Sequence, residues 1–209
     1  MIRVITISRE YGSGGGTVAR MLAERLGWRL VDQSLIAEIA KTAKVNPDVA
    51  KRFDESVDPW FHQLNKALWR GGYEGVATRV DSDLFDAEAM AALCRRVLEE
   101  AATIGNCVTV GRGGQCVLQK REDAFHVSIY APMAERVQRI QDRIPAGKDP
   151  VAYARETDRK RAAFIQRFFG QDWTNRHLYD LMISSSIGLE AVTAVILVAA
   201  GLPGDGSIS

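Results

Sequence analysis

A cluster of glycines lies near the N-terminus, between an apolar segment and an amphipathic stretch. Residues 12–17 read GSGGGT and follow the apolar run Val4–Ser8. Successive glycine amides ahead of a helix can point at one anion, and the helix dipole adds partial positive charge there. The segment Ser8–Thr17 therefore predicts a phosphate-binding loop. Its nucleotide-binding candidates are Gly12, Ser13, Gly14, Gly15, Gly16 and Thr17.

Two nucleotide-binding motifs compete for this loop. The dinucleotide fingerprint G-x-G-x-x-G fits Gly12 and Gly14 but meets Thr17 at its last position. Asp32 follows at the end of the next predicted strand, where a ribose-binding acid would lie. A glycine-rich turn that caps the helix and binds no ligand is a further alternative.

The phosphate-loop pattern G-x-x-x-x-G-K-[ST] fits in one register. Arg9 then stands at the first glycine, Gly14 at the second and Gly15 at the lysine, with Gly16 and Thr17 after it. The length of the loop favours this pattern, because residues 9–11 separate the strand from the glycines. A dinucleotide turn follows its strand almost at once, whereas this longer loop is wide enough to wrap a terminal phosphate.

Arginines are the cations available to a loop whose lysine position holds glycine. Phosphoryl transfer depends on positioning and on neutralising charge, and the loss of one preorganised donor costs about 3–4 kcal/mol. Arg136, Arg139 and Arg143 recur at i, i+3 and i+7 on a predicted helix, opposite an apolar stripe of Met133, Val137, Ile140 and Ile144. We expect this row to close over phosphates as part of a lid.

Two further arginines have local reasons to be at the site. Arg112 follows a predicted strand at its carboxyl end, where ligands bind in open α/β sheets. Arg9 lies in the loop itself, and its competing role is a structural ion pair with Glu10 or Asp32. The catalytic candidates are Arg9, Arg112, Arg136 and Arg139.

Five apolar runs alternate with helical patterns, and this alternation predicts a parallel α/β fold. The predicted strands are Val4–Ser8, Arg29–Asp32, Cys107–Val110, His126–Tyr130 and Leu181–Ser185. The predicted helices cover residues 16–26, 87–102, a segment starting at Pro132, 149–169 and 189–200. Residues 33–86 break the alternation and predict an inserted helical subdomain, and the glycine-rich tail 201–209 is expected to be disordered.

Composition narrows the possible partners. The chain has 209 residues, a net charge of +1, three cysteines and 46% hydrophobic residues. These values predict one domain over residues 1–200 and give no electrostatic case for binding to nucleic acid or an anionic membrane.

The cysteines and the N-terminus indicate the cellular compartment. The cysteines have no metal or disulfide spacing, and the N-terminus runs directly into a strand, so we expect a cytoplasmic protein. The region around Trp60 is a candidate surface for a homo-oligomer.

Several segments together resemble the cytidylate kinase-like family, a divergent branch of the nucleoside monophosphate kinases in the P-loop NTPase superfamily. ITISREYGSGGGTVARMLAERLGWRLVD (residues 5–32) resembles its start, and VTVGRGG (108–114) resembles a later segment. HVSIYAPMAERVQRI (126–140) and WTNRHLYDLMISSS (173–186) resemble its fourth strand with the lid helix and the approach to its last strand.

The resemblance implies a three-layer P-loop NTPase-like fold with a five-stranded parallel sheet in the order 2-3-1-4-5. It also implies an acceptor subdomain at residues 33–86, an arginine-bearing lid at 132–170, and transfer of the γ-phosphoryl group of ATP, with Mg²⁺, to a nucleoside monophosphate or similar acceptor. By position, Asp32, Ser34, Arg112, Arg159 and Arg161 are its acceptor-binding residues, and Gly12–Thr17 hold the donor phosphates.

Departures from the family pattern limit which residue roles the resemblance implies for this chain. Gly15 replaces the loop lysine, and Val110 and Gly113 replace acidic residues that read cytosine, so cytosine specificity does not follow. Thr17 is the nearest hydroxyl for a metal ion, with Ser13 as the alternative. Three hypotheses result: a small-molecule kinase, a nucleotide-binding regulatory protein with weak or no catalysis, and an NAD(P)-dependent oxidoreductase.

Overall fold

A computed structural model of the chain describes residues 1–32 and 87–203. The expected acceptor insertion at 33–86, including Ser34 and the Trp60 region, lies outside the described residues. Of the expected disordered tail, residues 204–209 also lie outside them. The division of the chain into one domain, an insertion and a lid therefore stays a prediction.

The described residues form five strands and six helices, which alternate except that two helices follow the fourth strand. The strands are β1 (Val4–Arg9), β2 (Arg29–Val31), β3 (Cys107–Val110), β4 (Ala124–Tyr130) and β5 (Leu181–Ser184). The helices are α1 (Gly15–Leu26), α2 (Ala87–Ile104), α3 (Gly114–Val117), α4 (Met133–Ile140), α5 (Pro150–Phe169) and α6 (Leu189–Ala199). Short 3₁₀ turns at Arg176–Leu178 and Ser185–Ile187 flank β5.

The strands pair in the order β2-β3-β1-β4-β5, and every pairing is parallel. Val4 of β1 pairs with Cys107 of β3 on one side and with Ala124 of β4 on the other. The order confirms the predicted α/β sheet. It contradicts the dinucleotide alternative, because in that fold the second strand lies beside the first.

Two apolar cores lie on opposite faces of the sheet. Val4 and Cys107 pack against α2 on one face, together with Leu98 of that helix. Ile5 and Ile7 point to the other face and pack with residues of α1 and α6. Neighbouring residues of β1 thus serve different cores because side chains alternate along a strand. The result is a sheet covered by helices on both faces.

The largest departure from the predicted elements is in the expected lid helix. α4 ends at Ile140 and residues 141–149 form turns, so the helix does not continue to Ile144 as the stripe predicted. α5 begins at Pro150, where the Asp149 carboxylate accepts a hydrogen bond from the Ala152 amide at 2.8 Å. This N-cap confirms the predicted start of the long helix.

The carboxyl ends of the strands place three connecting segments at one edge of the sheet. β1 ends at Arg9, β3 at Val110 and β4 at Tyr130, and all three strands run in the same direction. Ligands of open parallel sheets bind at this edge. None of the helices in the described ranges is long and apolar enough to cross a membrane.

Candidate nucleotide and acceptor site

The phosphate-binding loop joins β1 to α1. Gly14, the residue before α1, has φ +82°, and a Cβ there would lie 2.6 Å from Cδ2 of Leu189. Glycine is required at this position by conformation and by space. Within the described ranges, the amides of Gly14, Gly15 and Gly16 donate to no protein acceptor. Three consecutive amides are therefore available to an anion at the N-terminus of a 12-residue helix.

The hydroxyls of the loop differ in their accessibility. Ser13 is fully buried, and its Oγ donates to the Glu10 carbonyl at 2.9 Å, so it braces the loop. Thr17 is exposed and lines a cavity over the loop with Gly14–Gly16, Arg143 and Asp32. We call this space the loop cavity. Of the two hydroxyls predicted as metal ligands, Thr17 is the accessible one.

Three arginines hold the carbonyl groups of the loop. Arg161 Nη1 donates to the Arg9 carbonyl at 2.8 Å, and Arg136 Nε donates to the Tyr11 carbonyl at 2.7 Å. Arg139 Nη1 lies 3.5 Å from the Gly12 carbonyl. These contacts fix the outer side of the loop from α4 and α5.

Arg136, which the sequence places in a row of arginines opposite the apolar stripe of its helix, is buried. Its side chain is only 5% exposed and forms ion pairs with Asp158 and, at 3.3 Å, with Glu10. The Asp158 carboxylate also accepts the Tyr11 amide at 2.8 Å. Two carboxylates and a loop carbonyl supply this arginine with partners, so it packs inward against the loop. This network positions the loop, and a catalytic role for Arg136 stays a prediction.

Arg139 links the loop to the segment after β5. Its guanidinium donates to Ser185 Oγ at 3.0 Å and pairs with Glu135 at 2.9 Å, one helical turn earlier. Glu135 in turn accepts a hydrogen bond from Ser186 at 2.7 Å. Arg139 is partly exposed and lies against the loop carbonyl side, so its observed contacts are structural.

A second cavity lies beside the loop cavity, at the carboxyl ends of β1 and β3. We call it the inner cavity; its volume of about 370 Å³ is within the usual range for a small-molecule site. Arg112 lines it from the turn after β3, with φ +56° between Gly111 at +70° and Gly113 at +79°. A left-handed arginine costs about 1–2 kcal/mol, and such outliers cluster at functional sites.

Cations dominate the polar lining of the inner cavity. Arg9, Arg112, Lys160 and Arg161 line it, and no carboxylate or imidazole does so among the described residues. Burial and the neighbouring guanidinium groups of Arg161 and Arg112 lower the pKa of Arg9 to about 9. Burial likewise lowers the pKa of Arg161. Lys160 pairs with Glu156 and Arg161 with Asp158. Arg9 and Arg112, by contrast, form no ion pair within the described residues, so the cavity is suited to bind an anion.

Aromatic side chains supply the apolar part of the inner cavity. Tyr11, Phe164 and Trp173 line it. The carbonyl of Trp173 accepts a hydrogen bond from the Tyr179 hydroxyl at 2.6 Å, and that hydroxyl also lies 3.2 Å from Ser8 Oγ at the end of β1. Tyr179 thereby fixes the tryptophan against the sheet. Rings in this position offer a surface for a planar group.

The structure brings together some of the predicted site residues and separates others. Arg9 and Arg161 line both cavities, Arg112 lines the inner cavity, and Asp32 lines the loop cavity. Arg159 lines neither cavity and is exposed, in an ion pair with Glu156 along α5. Its predicted contact with an acceptor has no support in this geometry.

Three residues of the site have no individual motif in the sequence. Lys160 and Trp173 line the inner cavity. Asp158 binds the loop by accepting the Tyr11 amide and by pairing with Arg136. Asp158, Lys160 and Arg161 lie within four residues of each other, so the charged run on α5 is the local signal for them. Within the described residues, no group of three or more His, Cys, Asp or Glu side chains could hold a metal ion.

A parallel sheet in this order, with a glycine-rich loop between its first strand and first helix, defines the fold of the phosphate-loop kinases. A shikimate kinase from Bacteroides thetaiotaomicron has this fold, with a TM-score of 0.52, 13% identity and coverage of 95% of this chain and 98% of its own. A protein of unknown function from Eubacterium ventriosum superimposes with a TM-score of 0.63 at 23% identity, over 96% and 99% of the two chains.

The chain belongs to the cytidylate kinase-like family, whose model matches residues 4–187. A cytidylate kinase from Ignicoccus hospitalis is 28% identical over 200 residues, which cover 92% of this chain and 96% of that enzyme. A cytidylate kinase from Shewanella sp. (strain W3-18-1) is 37% identical over 54 residues, so the match spans 26% of this chain and 24% of that enzyme.

Proposed function

We propose that the protein is an ATP-dependent phosphotransferase whose acceptor is a small phosphate monoester, with nucleoside monophosphates such as cytidylate as the first candidates. Membership of the cytidylate kinase-like family supports the reaction class. The expected lid at residues 132–170 is part of this proposal, with α4 and α5 as its described helices.

One observation carries the proposal: the loop cavity and the inner cavity share Arg9 and Arg161. The loop cavity offers the free amides of a helix N-terminus, which suit the β- and γ-phosphates of a donor. The two arginines form the boundary between the loop cavity and the inner cavity. A γ-phosphoryl group that passes from the loop cavity to the inner cavity would stay close to one of these guanidinium groups throughout its transfer.

The charge of the inner cavity favours an anionic acceptor. Its described lining contains four cations and no acid. Lys160 and Arg161 have carboxylate partners outside the cavity, so a neutral acceptor would leave the charge of Arg9 and Arg112 without compensation. Arg112, in its left-handed turn, is the residue that we assign to the acceptor phosphate. Its guanidinium can hold a phosphate by two parallel hydrogen bonds.

The chemistry of a phosphate acceptor also fits the absence of a base from the described lining. A phosphate oxygen is already anionic near neutral pH, so it needs no group to remove a proton. It attacks the γ-phosphorus while the bond to the β–γ bridging oxygen breaks, and ADP leaves. The residues then have to align the two phosphates and neutralise their charge.

The loop cavity contains oxygen donors suited to magnesium. Thr17 and Asp32 line it, and hydroxyl and carboxylate oxygens are ligands of the kind that Mg²⁺ takes alongside phosphate oxygens. When bound, Mg²⁺ neutralises charge that develops on the donor phosphates. We therefore include ATP and Mg²⁺ in the proposal, with Thr17 as a candidate ligand.

Asp32 favours a second candidate function. A kinase that phosphorylates a hydroxyl group needs a base for its proton, and Asp32 lies in the adjoining loop cavity. A hydroxylated carboxylic acid would place its carboxylate among the cations of the inner cavity. The shikimate kinase fold seen above makes this class worth testing, although that likeness concerns the fold alone.

The test is acceptor-dependent ADP formation by the full chain. The purified protein is incubated with ATP and Mg²⁺ together with CMP, dCMP, UMP, AMP or GMP, and separately with shikimate or gluconate. Phosphorus NMR of the product distinguishes a new diphosphate from a new phosphate monoester. We expect ADP formation with at least one nucleoside monophosphate, and a diphosphate product.

The other outcomes each decide between the alternatives. A new phosphate monoester from a hydroxy acid would support the second candidate and overturn the first. If calorimetry shows ATP binding while no acceptor of the panel raises ADP formation above background, the kinase proposal fails for these acceptors. That result would favour a nucleotide-binding regulatory protein. Tight NADH binding without ATP binding would overturn the phosphotransferase proposal altogether.

A further inference from the structure

Arg9 and Gly15 are exchanged relative to the ordinary phosphate-loop motif. In G-x-x-x-x-G-K-[ST] the first position is glycine and the seventh is lysine. In this chain the first position is Arg9 and the seventh is Gly15, while Gly14 keeps the place of the second glycine. The motif has lost a cation at one position and gained one six residues earlier.

The two positions are in direct contact in the folded chain. A Cβ built on Gly15 would lie 2.6 Å from Cβ of Arg9 and 3.0 Å from its Cγ, distances that real Cβ atoms avoid. No side chain at position 15 fits beside a side chain at position 9 in this backbone conformation. The arginine therefore occupies the space in which the lysine side chain of an ordinary loop would begin.

The Arg9 side chain runs from Gly15 across the end of β1 to the turn after β3. Its Nη1 lies so close to Gly111 that a Cβ at that position would overlap it. Along this course the side chain lines both the loop cavity and the inner cavity. The guanidinium is thus placed at the boundary where a transferred phosphoryl group would pass.

The contacts of Arg9 do not support a purely structural role. Its backbone carbonyl is held by Arg161, but its guanidinium has no ion pair with any carboxylate in the described residues. Glu10, a possible partner judged from the sequence, pairs with Arg136 instead. A partly buried cation beside Arg112 and Arg161, without a paired carboxylate, has reason to bind an anion.

We propose that Arg9 supplies the cation on the β- and γ-phosphates that lysine supplies in ordinary phosphate loops, and that Gly15 is glycine to make room for it. The proposal rests on the proposed function for its donor. The planar fork of arginine can contact two phosphate oxygens at once. From its position Arg9 reaches the γ-phosphate from the side of the inner cavity.

The exchange can be reversed experimentally. The double variant Arg9→Gly/Gly15→Lys has the loop sequence GEYGSGKGT, which restores the first glycine and the lysine of the ordinary motif and leaves Gly16 and Thr17 after them. It is compared with wild type, Arg9→Gly, Arg9→Ala and Gly15→Lys in the full chain. Arg155→Ala serves as a matched control, because Arg155 is exposed on α5 and lines neither cavity. The measurements are kcat, KM for ATP, the Kd of ATP by calorimetry, and the melting temperature.

We expect Arg9→Ala and Arg9→Gly to melt near wild type and to lose activity by about 10²–10³-fold, the usual effect of removing one preorganised donor. Gly15→Lys should melt lower and lose activity, because its new side chain collides with Arg9. The double variant should be at least about tenfold more active than Arg9→Gly and should bind ATP more tightly. A merely structural arginine would not be rescued by a lysine at position 15.

Two results would overturn the inference. One is a natively folded Arg9→Ala that keeps wild-type kcat and ATP affinity. The other is a double variant that folds yet is no better than Arg9→Gly in either measure. If wild type binds ATP without turnover, the proposed function fails. The role of Arg9 is then tested by comparing the Kd of ATP among wild type and the variants. If wild type does not bind ATP, both are overturned.

Discussion

The guanidinium of Arg161 donates a hydrogen bond of 2.8 Å to the backbone carbonyl of Arg9, 152 residues away in the chain. One arginine thus fixes the backbone of another, and both side chains line the same two cavities. Arg161 is itself held by Asp158, 3.6 Å away, and its guanidinium lies over the Tyr11 ring at 5.6 Å. α5 therefore sets the position of the loop on which the proposed chemistry depends.

Arg112→Ala should weaken acceptor-dependent turnover while sparing ATP affinity. Arg112 lines the inner cavity and is absent from the lining of the loop cavity. Loss of a charge-assisted hydrogen-bond donor typically costs about 1.5–3 kcal/mol, so kcat/KM for the acceptor should fall by about 10–150-fold. Steady-state kinetics and ATP calorimetry check this, with Arg155→Ala as the control. An equal loss of ATP binding would place Arg112 at the donor instead.

Arg136→Met should destabilise the fold by about 3–5 kcal/mol, because it removes the shared cation of two carboxylates beside the loop and leaves one of them with only the more distant Arg161. Asp158 and Glu10 are those carboxylates. Urea denaturation measures the change in free energy of unfolding. Arg159→Ala is the matched comparison: its ion pair with Glu156 is on the surface, so the change should stay below about 1 kcal/mol. Similar effects of both substitutions would contradict the structural role of Arg136.

Two glycines of the loop should respond oppositely to alanine. Gly14→Ala forces a left-handed alanine, which costs about 1–2 kcal/mol, and pushes its Cβ into Leu189. A Cβ on Gly16 would meet no atom within 4 Å among the described residues outside its own stretch of α1, so Gly16→Ala should stabilise the fold by up to about 1 kcal/mol. Thermal melting decides between the signs. A Gly14→Ala variant as stable as wild type would contradict the described loop conformation.

His126 should make the fold less stable as the pH falls below about 6.5. Burial lowers the pKa of His126, whose ring nitrogen Nδ1 lies 2.8 Å from Thr6 Oγ1. The unfolded chain therefore takes up the proton before the native state does, and the free energy of unfolding decreases with falling pH. His126→Gln should flatten this slope between about pH 7 and pH 5.5.

The control for that slope is His177→Gln, since His177 is exposed on the 3₁₀ turn before β5. Denaturation curves at several pH values measure both variants. An unchanged slope in His126→Gln, or the same flattening in both variants, would show that the titration of His126 does not control stability in this range.

Local patterns in the sequence were enough to predict the sheet and the loop. The strands are nearly continuous apolar runs because helices cover both faces, and the glycines lie together directly before α1. The burial of Arg136 could not be predicted from its helix. Its partners Glu10 and Asp158 come from other segments, and only the fold brings their carboxylates to it.

The inner cavity was also beyond the sequence patterns. Arg112 stands at a strand end, which marked it as a candidate, but its left-handed conformation depends on the whole turn 111–113. Trp173 reaches the cavity from the segment that follows α5, where Tyr179 holds its carbonyl. Contacts of this kind join distant segments, and no spacing rule within a single segment encodes them.

The contact between Arg9 and Gly15 also constrains how such a loop can evolve. A lysine gained at position 15 collides with Arg9, and an arginine lost at position 9 leaves the loop without its cation. On this proposal neither single substitution is neutral, so the two versions of the loop lie on separate fitness peaks. Descendants of such a sequence would keep arginine and glycine as a covarying pair, and a motif search built on the loop lysine would pass over all of them.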